Sequence, residues 1–274
     1  MIMIEDISKS EIEEIFSILR EHFRADFSDY KLSCLERRIK RRMLLSRSAD
    51  IRNYIDFLKK NENERRDLFD TVTINVTKFF RDENTFDYIF NKIIPAIRHV
   101  PDIKVWSAAC ASGEEAYSVS MMLDYYKEAN KCRYNFTVYG TDIDRRSIQT
   151  AQEGAYTPKS LFNTPAFFRQ IFELYTEKGK NIYRIMDKMQ RVTRFKVENL
   201  HDANWDFKFD IILCRNVFIY FDRALQNKML DMLARFIKPD GFLVLGRVET
   251  IFTDGKTKFE IVSNRDKIYK LKKE

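Results

Sequence analysis

The chain has 274 residues, 45% of them hydrophobic and 32% charged, which suits one large or two modest globular domains with a sizeable core. Its formal charge of +7, from 48 basic and 41 acidic residues, points to an anionic partner, nucleic acid or an acidic protein surface, without choosing between them. No uninterrupted apolar run approaches the ~18 residues needed to span a bilayer, and Met-Ile-Met-Ile-Glu-Asp at the start lacks the regions of a signal peptide, so a cytoplasmic location without membrane insertion is expected.

Residues 1 to about 74 read as helical. Ser8 and Ser10 offer caps before Ile12, Ile15, Phe16 and Leu19, which fall at helical spacing. In the next segment Leu32, Leu35, Ile39 and Met43 form one apolar stripe, and from Lys31 to Arg47 seven basic residues and one acid surround it. A charged helix face is usually a solvated one. Here the sign is nearly uniform, and Arg37, Arg38, Lys40, Arg41 and Arg42 have only Glu36 nearby in their own helix, which favours a partner-binding face. Ile51, Tyr54, Ile55 and Leu58 continue the helical pattern. No Pro/Gly/Ser-rich linker follows before Asn75.

A helix from about Glu83 to Val100 then leads into Val105-Trp-Ser-Ala-Ala-Cys-Ala-Ser-Gly-Glu-Glu115, which reads as a strand, a tight turn of small residues and a helix start. That order is the nucleotide cradle of an open α/β sheet, because small side chains let the backbone approach a ligand. It has one glycine, not the G-x-G-x-x-G fingerprint, and its two glutamates would repel a phosphate at the helix N-terminus. A cationic ligand without phosphates fits better, and S-adenosylmethionine is such a ligand. Phe136 to Asp144 is an alternating strand ending in acids. Asp142 stands where such folds bind ribose hydroxyls; it could also cap the next helix, a task open equally to Asp144.

After Gly154-Ala-Tyr-Thr-Pro158 the α/β alternation breaks for about forty residues. A short helix through Phe167 and Phe172, a turn at Lys178 to Asn181, and strand-like runs at Ile182–Met186 and Arg191–Val197 suggest a small β insert. Phe207 to Cys214 is a buried strand, followed by a helix from about Arg223 to Ile237, a turn at Lys238-Pro-Asp-Gly241 and a strand from Phe242 to Gly246. Phe259-Glu-Ile-Val and Lys267-Ile-Tyr-Lys-Leu form a closing hairpin around Ser263 to Asp266. The cysteines, Cys34, Cys110, Cys132 and Cys214, contain no C-x-x-C pair, and His22, His99 and His201 lie far apart; reduced thiols and no metal site are expected.

Five segments in order resemble the CheR-type chemotaxis receptor glutamate O-methyltransferases: Asn75-Val-Thr77-Lys-Phe-Phe-Arg81-Asp, Trp106 to Glu115, Gly140-Thr-Asp142-Ile-Asp, Asn199-Leu-His-Asp202, and Asp210-Ile-Ile-Leu-Cys-Arg-Asn216-Val-Phe-Ile-Tyr220-Phe-Asp222. Ala116 departs from the family's proline, and Gly246-Arg247-Val248-Glu249 from its Gly-His-Ser-Glu. The resemblance implies a Rossmann-like S-adenosylmethionine-dependent methyltransferase sheet with a small inserted antiparallel β subdomain and an N-terminal all-helical domain. Residues 1–74 would be the receptor-binding helical domain, 75–98 a segment contributing to the cofactor site, and 99–274 the methyltransferase domain with its insert at about 155–198. It further implies methyl transfer to glutamate carboxylates of chemoreceptor cytoplasmic helices, with S-adenosylhomocysteine as product, no metal, and a monomeric enzyme.

By resemblance the cofactor residues are Asn75, Thr77, Arg81, Glu115, Asp142, Asn199, Leu200, Arg215 and Asn216, and the catalytic ones Arg81 and Tyr220. From sequence alone Tyr220 is a core residue among Phe218, Ile219 and Phe221, Arg81 a surface partner of Asp82 or Glu83, Asn199 a turn residue and Asn216 a strand-end cap. The other function classes are a nucleic-acid methyltransferase, motivated by charge, and a non-catalytic receptor-binding module that senses the cofactor. Against the first, the residues after Arg215 are not the Asn/Asp-Pro-Pro-Tyr/Phe pattern of amino-group methylation, and no nucleic-acid partner is expected.

Overall fold

The computed structural model describes residues 6–23, 27, 30–73, 77–251 and 258–272; Asn75, expected at the cofactor site, lies outside them. The chain divides into two compact units, Met1–Asn75 with Tyr220–Lys228, and Val76–Ile219 with Met229–Glu274.

The first unit is built on four helices, α1 (Lys9–Phe23), α2 (Leu32–Ser46), α3 (Ile51–Lys60) and α4 (Glu62–Thr73). Ser8 starts α1 with a capping box: its amide donates to Glu11 Oε2 at 2.9 Å, and the Glu11 amide donates to Ser8 Oγ at 3.4 Å. Asp50 caps α3 by accepting from the Asn53 amide at 2.8 Å. The periodic residues Ile12, Ile15, Phe16, Leu19, Leu35, Ile39, Met43, Tyr54, Ile55 and Leu58 are buried; Leu32, expected in the same stripe, is exposed on the first turn of α2. Glu64 is buried and ties three helices together, accepting from Arg42 Nη2 at 2.6 Å, Arg42 Nε at 3.0 Å and the Tyr54 hydroxyl at 2.9 Å.

The second unit holds a seven-stranded sheet. Its strands are β1 (Asp102–Ala108), β2 (Asn135–Asp142), β6 (Thr193–Val197), β7 (Phe209–Cys214), β8 (Ile237–Leu245), β9 (Phe259–Ser263) and β10 (Ile268–Leu271), in the order β6-β2-β1-β7-β8-β10-β9. The first five are parallel and the C-terminal hairpin β9–β10 is antiparallel. β1 and β7 run side by side, Ser107 opposite Leu213, at the point where strand order reverses. In such sheets the crevice beyond the carboxyl ends at the reversal is where ligands bind. Asp142 closes β2, and α7 (Glu114–Ala129) and α8 (Arg145–Glu153) are the crossovers that flank that strand.

The helix expected from Glu83 is interrupted. It runs as α5 (Glu83–Tyr88), one π turn (Ile89–Ile93) and α6 (Ile94–Ile97). Pro95 lies just beyond that turn, and a proline both lacks an N–H and crowds the carbonyl a turn earlier, which the wider π turn relieves. The insert is a separate antiparallel sheet, β3 (Ala155–Tyr156), β5 (Tyr183–Ile185) and β4 (Thr176–Lys178), with α9 (Ala166–Leu174) before β4. The run at Arg191–Val197 does not join it. Its first residues end α10 (Asp187–Val192), a helix not foreseen in the sequence, and the rest is β6, which pairs with β2 in the main sheet. Lys238 to Gly241, read as a turn, is a bulge in β8: pairing with β7 jumps from Phe209–Ile237 to Ile211–Phe242.

Candidate functional site

The turn after β1 is shaped by backbone conformation. Ala109 and Ala111 have φ of 61° and 48°, and Gly113 has φ of 91°. A Cβ on Gly113 would sit 2.7 Å from Ala151 Cβ and 3.0 Å from the Phe195 ring, so only glycine lets α7 start here. Three of the turn's N–H groups are already used: Cys110 N donates to Thr141 O at 2.9 Å, Ala111 N to Asp142 Oδ2 at 2.8 Å, and Gly113 N to Cys110 O at 3.1 Å. A phosphate-binding loop keeps such donors for its ligand; this one spends these three internally, and a ligand without phosphates suits it.

Glu115 links the turn to β7. Its Oε1 accepts from Ser107 Oγ at 2.7 Å and its Oε2 from Arg215 Nη1 at 2.9 Å. The Arg215 side chain is 1% exposed, and its Nη2 also donates to Asp82 Oδ2 at 2.7 Å and to the Arg81 carbonyl at 2.8 Å. One buried guanidinium thus ties the segment of Arg81 and Asp82 to the first turn of α7. Asp82, a candidate partner for Arg81 by sequence, pairs with Arg215. Phe79 and Phe80 are buried behind this segment, and Phe80 N donates to Ser118 Oγ at 3.0 Å. Thr77 is half-buried, as is Arg81. The Arg215 guanidinium faces two carboxylates, Glu115 and Asp82, so this trio carries more negative than positive charge, which suits a sulfonium cation.

The neighbouring glutamate differs. Glu114 is buried, accepts from Ser112 Oγ at 2.7 Å, and burial raises its carboxyl above the usual range. Cys110 and Cys214 are likewise buried, and burial holds both thiols neutral.

Asp142 is 7% exposed, and its two oxygens accept from Ala111 N and from Asp144 N at 2.8 and 2.9 Å. Asp144 is the cap of α8, accepting from Arg146 N and Ser147 N, so the open assignment resolves with Asp142 outside the capping role. Burial pushes the Asp142 carboxyl up to about 6 against the pull of its backbone donors. Asn199 caps a short turn (Leu200–Asp202), accepting from His201 N at 3.2 Å, and Leu200 beside it is buried. Asn216 has φ of 62° and its amide donates to Glu249 Oε2 at 3.0 Å.

Tyr220 belongs to the helical unit. It is half-buried, its ring lies parallel to Tyr30 at 6.4 Å, its carbonyl accepts from Lys31 N at 2.8 Å, and the Arg38 guanidinium sits 4.5 Å above its ring. That last contact alters the basic face. Arg38 is 5% exposed and donates to the Val72 carbonyl. Arg42 is spent on Glu64 and on Asp67 at 2.8 Å, and Lys40 on Glu36 at 2.7 Å and Asp6 at 3.2 Å. The acids missing from α2 itself are therefore supplied by other segments, and of the five residues Arg37 and Arg41 are exposed.

Asp82, Ser107 and Glu249 were not among the sequence candidates. Asp82 follows Arg81, Ser107 lies within the Trp106 to Glu115 segment, and Glu249 stands in the Gly-Arg-Val-Glu stretch noted as a departure. Among the described residues no group of three or more His, Cys, Asp or Glu side chains could hold a metal ion, and no helix is long and apolar enough to cross a membrane.

Residues 75–268 match the family described as CheR methyltransferase, SAM binding domain, and residues 10–73 match CheR methyltransferase, all-alpha domain. A chemotaxis protein methyltransferase of Borreliella burgdorferi is 31% identical over 256 residues, 90% of each chain. One of Vibrio parahaemolyticus is 34% identical over 219 residues, 78% of each chain. The Escherichia coli protein of the same name is 29% identical over 248 residues, 89% of this chain and 85% of that one.

Proposed function

The chain belongs to the CheR methyltransferase family, and from that premise we propose how its own residues serve the reaction: methyl transfer from S-adenosylmethionine to glutamate carboxylates of chemoreceptors, for adaptation in bacterial chemotaxis. The cofactor supplies an electrophilic methyl on a sulfonium cation. Glu115, fixed by Ser107 and Arg215, offsets the cationic end. Asp142 takes the ribose hydroxyls on the lone pairs its backbone donors leave, and Asn199 and Leu200 flank the adenine, with Asn75, Thr77, Arg215 and Asn216 completing the set. The acceptor, with a usual carboxylate pKa of about 4.3, is ionised at neutral pH, so its oxygen bonds to the methyl without a general base. Arg81 grips that carboxylate and the Tyr220 hydroxyl orients it, roles carried by family resemblance. A water-poor setting favours a step in which opposite charges neutralise.

Residues 1–74 dock the receptor, residues 75–98 contribute to the cofactor site and residues 99–274 form the methyltransferase domain, in a monomer that works in the cytoplasm. Docking falls to Arg37 and Arg41 with the exposed Leu44 and Leu45 of α2, against an acidic helical surface. The observation that carries the reading is the chain Ser107–Glu115–Arg215–Asp82, centred on a buried guanidinium, beside a turn with three of its N–H groups already used. The test is incubation with methyl-labelled cofactor and receptor-bearing membranes, then mild base. Methyl esters release volatile methanol; base-stable label, or label on added RNA, contradicts the proposal.

A further inference from the structure

Glu249 has no place in the chemistry above, yet it is among the most constrained carboxylates in the sheet unit. It is 3% exposed. Its Oε2 accepts from Gly246 N at 2.5 Å and from Asn216 N at 3.0 Å, and its Oε1 from Ile219 N at 3.3 Å. The Glu249 amide in turn donates to the Gly246 carbonyl at 2.9 Å. One side chain therefore stitches together the loops that leave β7 and β8, whose last residues, Cys214 and Leu245, are paired neighbours.

The first of those loops turns at a residue whose conformation needs support. Asn216 is left-handed at φ of 62°, a conformation that asparagine adopts more readily than other non-glycine residues. The approach is close as well: a Cβ on Gly246 would lie 2.6 Å from Glu249 Oε2 and 2.8 Å from both the backbone and the side-chain nitrogen of Asn216. Glycine at 246 is thus what lets the carboxylate and the Asn216 amide share one spot. Burial raises the Glu249 carboxyl above its usual range while its backbone donors oppose the rise.

We infer that Glu249 is a positioning residue: through three backbone N–H groups it fixes the left-handed Asn216 turn, and thereby presents the Asn216 side chain to the cofactor. This rests on the reading of Asn216 as a cofactor-site residue. Glutamine has nearly the same shape but turns an NH2 group against at least one of the three N–H donors, whichever way its amide is flipped. The turn then relaxes although the volume is unchanged.

The test is calorimetric binding of S-adenosylhomocysteine to the full chain carrying Glu249→Gln, Asn216→Ala, or both. Glu249→Gln is expected to weaken binding about tenfold, or about 1.4 kcal/mol, and the double variant to bind no more weakly than the worse single one, because the two act through one contact. Folded Glu249→Gln with wild-type affinity, or losses that add in the double variant, overturns the inference. If Glu249→Gln does not fold, Gly246→Ala reaches the same turn from the other side, and its expected loss is also absent in the Asn216→Ala background; wild-type affinity there overturns the inference equally. Wild-type affinity in Asn216→Ala alone sinks the site reading and the inference with it, whereas a loss in Asn216→Ala that Glu249→Gln does not reproduce counts against Glu249 only.

Discussion

Replacing Arg215 with lysine tests the clamp at the centre of the site. The guanidinium is 1% exposed and divides its donors among Glu115 at 12%, Asp82 at 26% and the Arg81 carbonyl. A lysine ammonium is a compact point charge and cannot span two carboxylates in this geometry. It keeps one partner and leaves the other acid and the carbonyl short of a donor. One charge-assisted hydrogen bond contributes about 1.5–3 kcal/mol, and the carbonyl adds to that, so Arg215→Lys should destabilise the sheet unit by about 2–4 kcal/mol. Arg215→Met strands both carboxylates and should cost more. Trp106 and Trp205, the chain's two tryptophans, both lie in this unit, so fluorescence-detected urea unfolding reports it alone. Calorimetry on the same variants should give weaker S-adenosylhomocysteine binding, because Glu115 loses the partner that fixes it. An Arg215→Lys protein within about 0.5 kcal/mol of wild type, the range of an ordinary surface change, and with unchanged affinity, would refute the clamp.

Three further outcomes are expected. Arg37→Glu with Arg41→Glu should slow receptor methylation and reduce its salt dependence while leaving cofactor binding intact, since screening shortens such charges to a reach of about 8 Å at physiological strength; Arg38→Glu should instead unfold the helical unit, because Arg38 is buried against Val72 and Tyr220. Cofactor affinity should fall as pH drops through about 6, where Asp142 takes up a proton and can no longer accept ribose hydroxyls on both oxygens, and Asp142→Asn should flatten that profile. The sign follows from a folded pKa raised above the usual 3.8: the ionised form is the competent one, and it is complete only above the raised value. Tyr220→Phe should slow methyl transfer about tenfold, the worth of one hydrogen bond, with the ring's contacts to Tyr30 and Arg38 and the protein's stability retained; wild-type turnover would return Tyr220 to a packing role.

The cradle was legible because its signal is local. An apolar strand, small residues and a helix start within eleven positions constrain the backbone whatever the rest of the chain does, and Asp142 at a strand end follows from the same pattern. The family motifs then singled out Arg215 and Asn216, of which Arg215 pairs with Glu115 at the end of that segment. Contacts brought by distant elements left no such trace. The charge pattern of α2 gave no warning that Glu64 and Asp67 would take up Arg42, or that Tyr220 would come to lie under Arg38. Strand periodicity found most of Arg191–Val197 but could not say which sheet it joins, since an edge strand with one paired side reads alike in either. Glu249 was hidden for a related reason: a lone acid in a loop gives no hint that it will be buried under three backbone donors.

The most direct measurement is peptide mapping by mass spectrometry of chemoreceptors incubated with the enzyme and S-adenosylmethionine. The account requires methyl groups on glutamate side chains of the cytoplasmic helices, removable by mild base and lost with Tyr220→Phe and Arg215→Met in proportion to their effects on rate and binding. Receptors that stay unmodified while the enzyme binds cofactor, or methyl groups found on lysine or on nucleic acid, would contradict it.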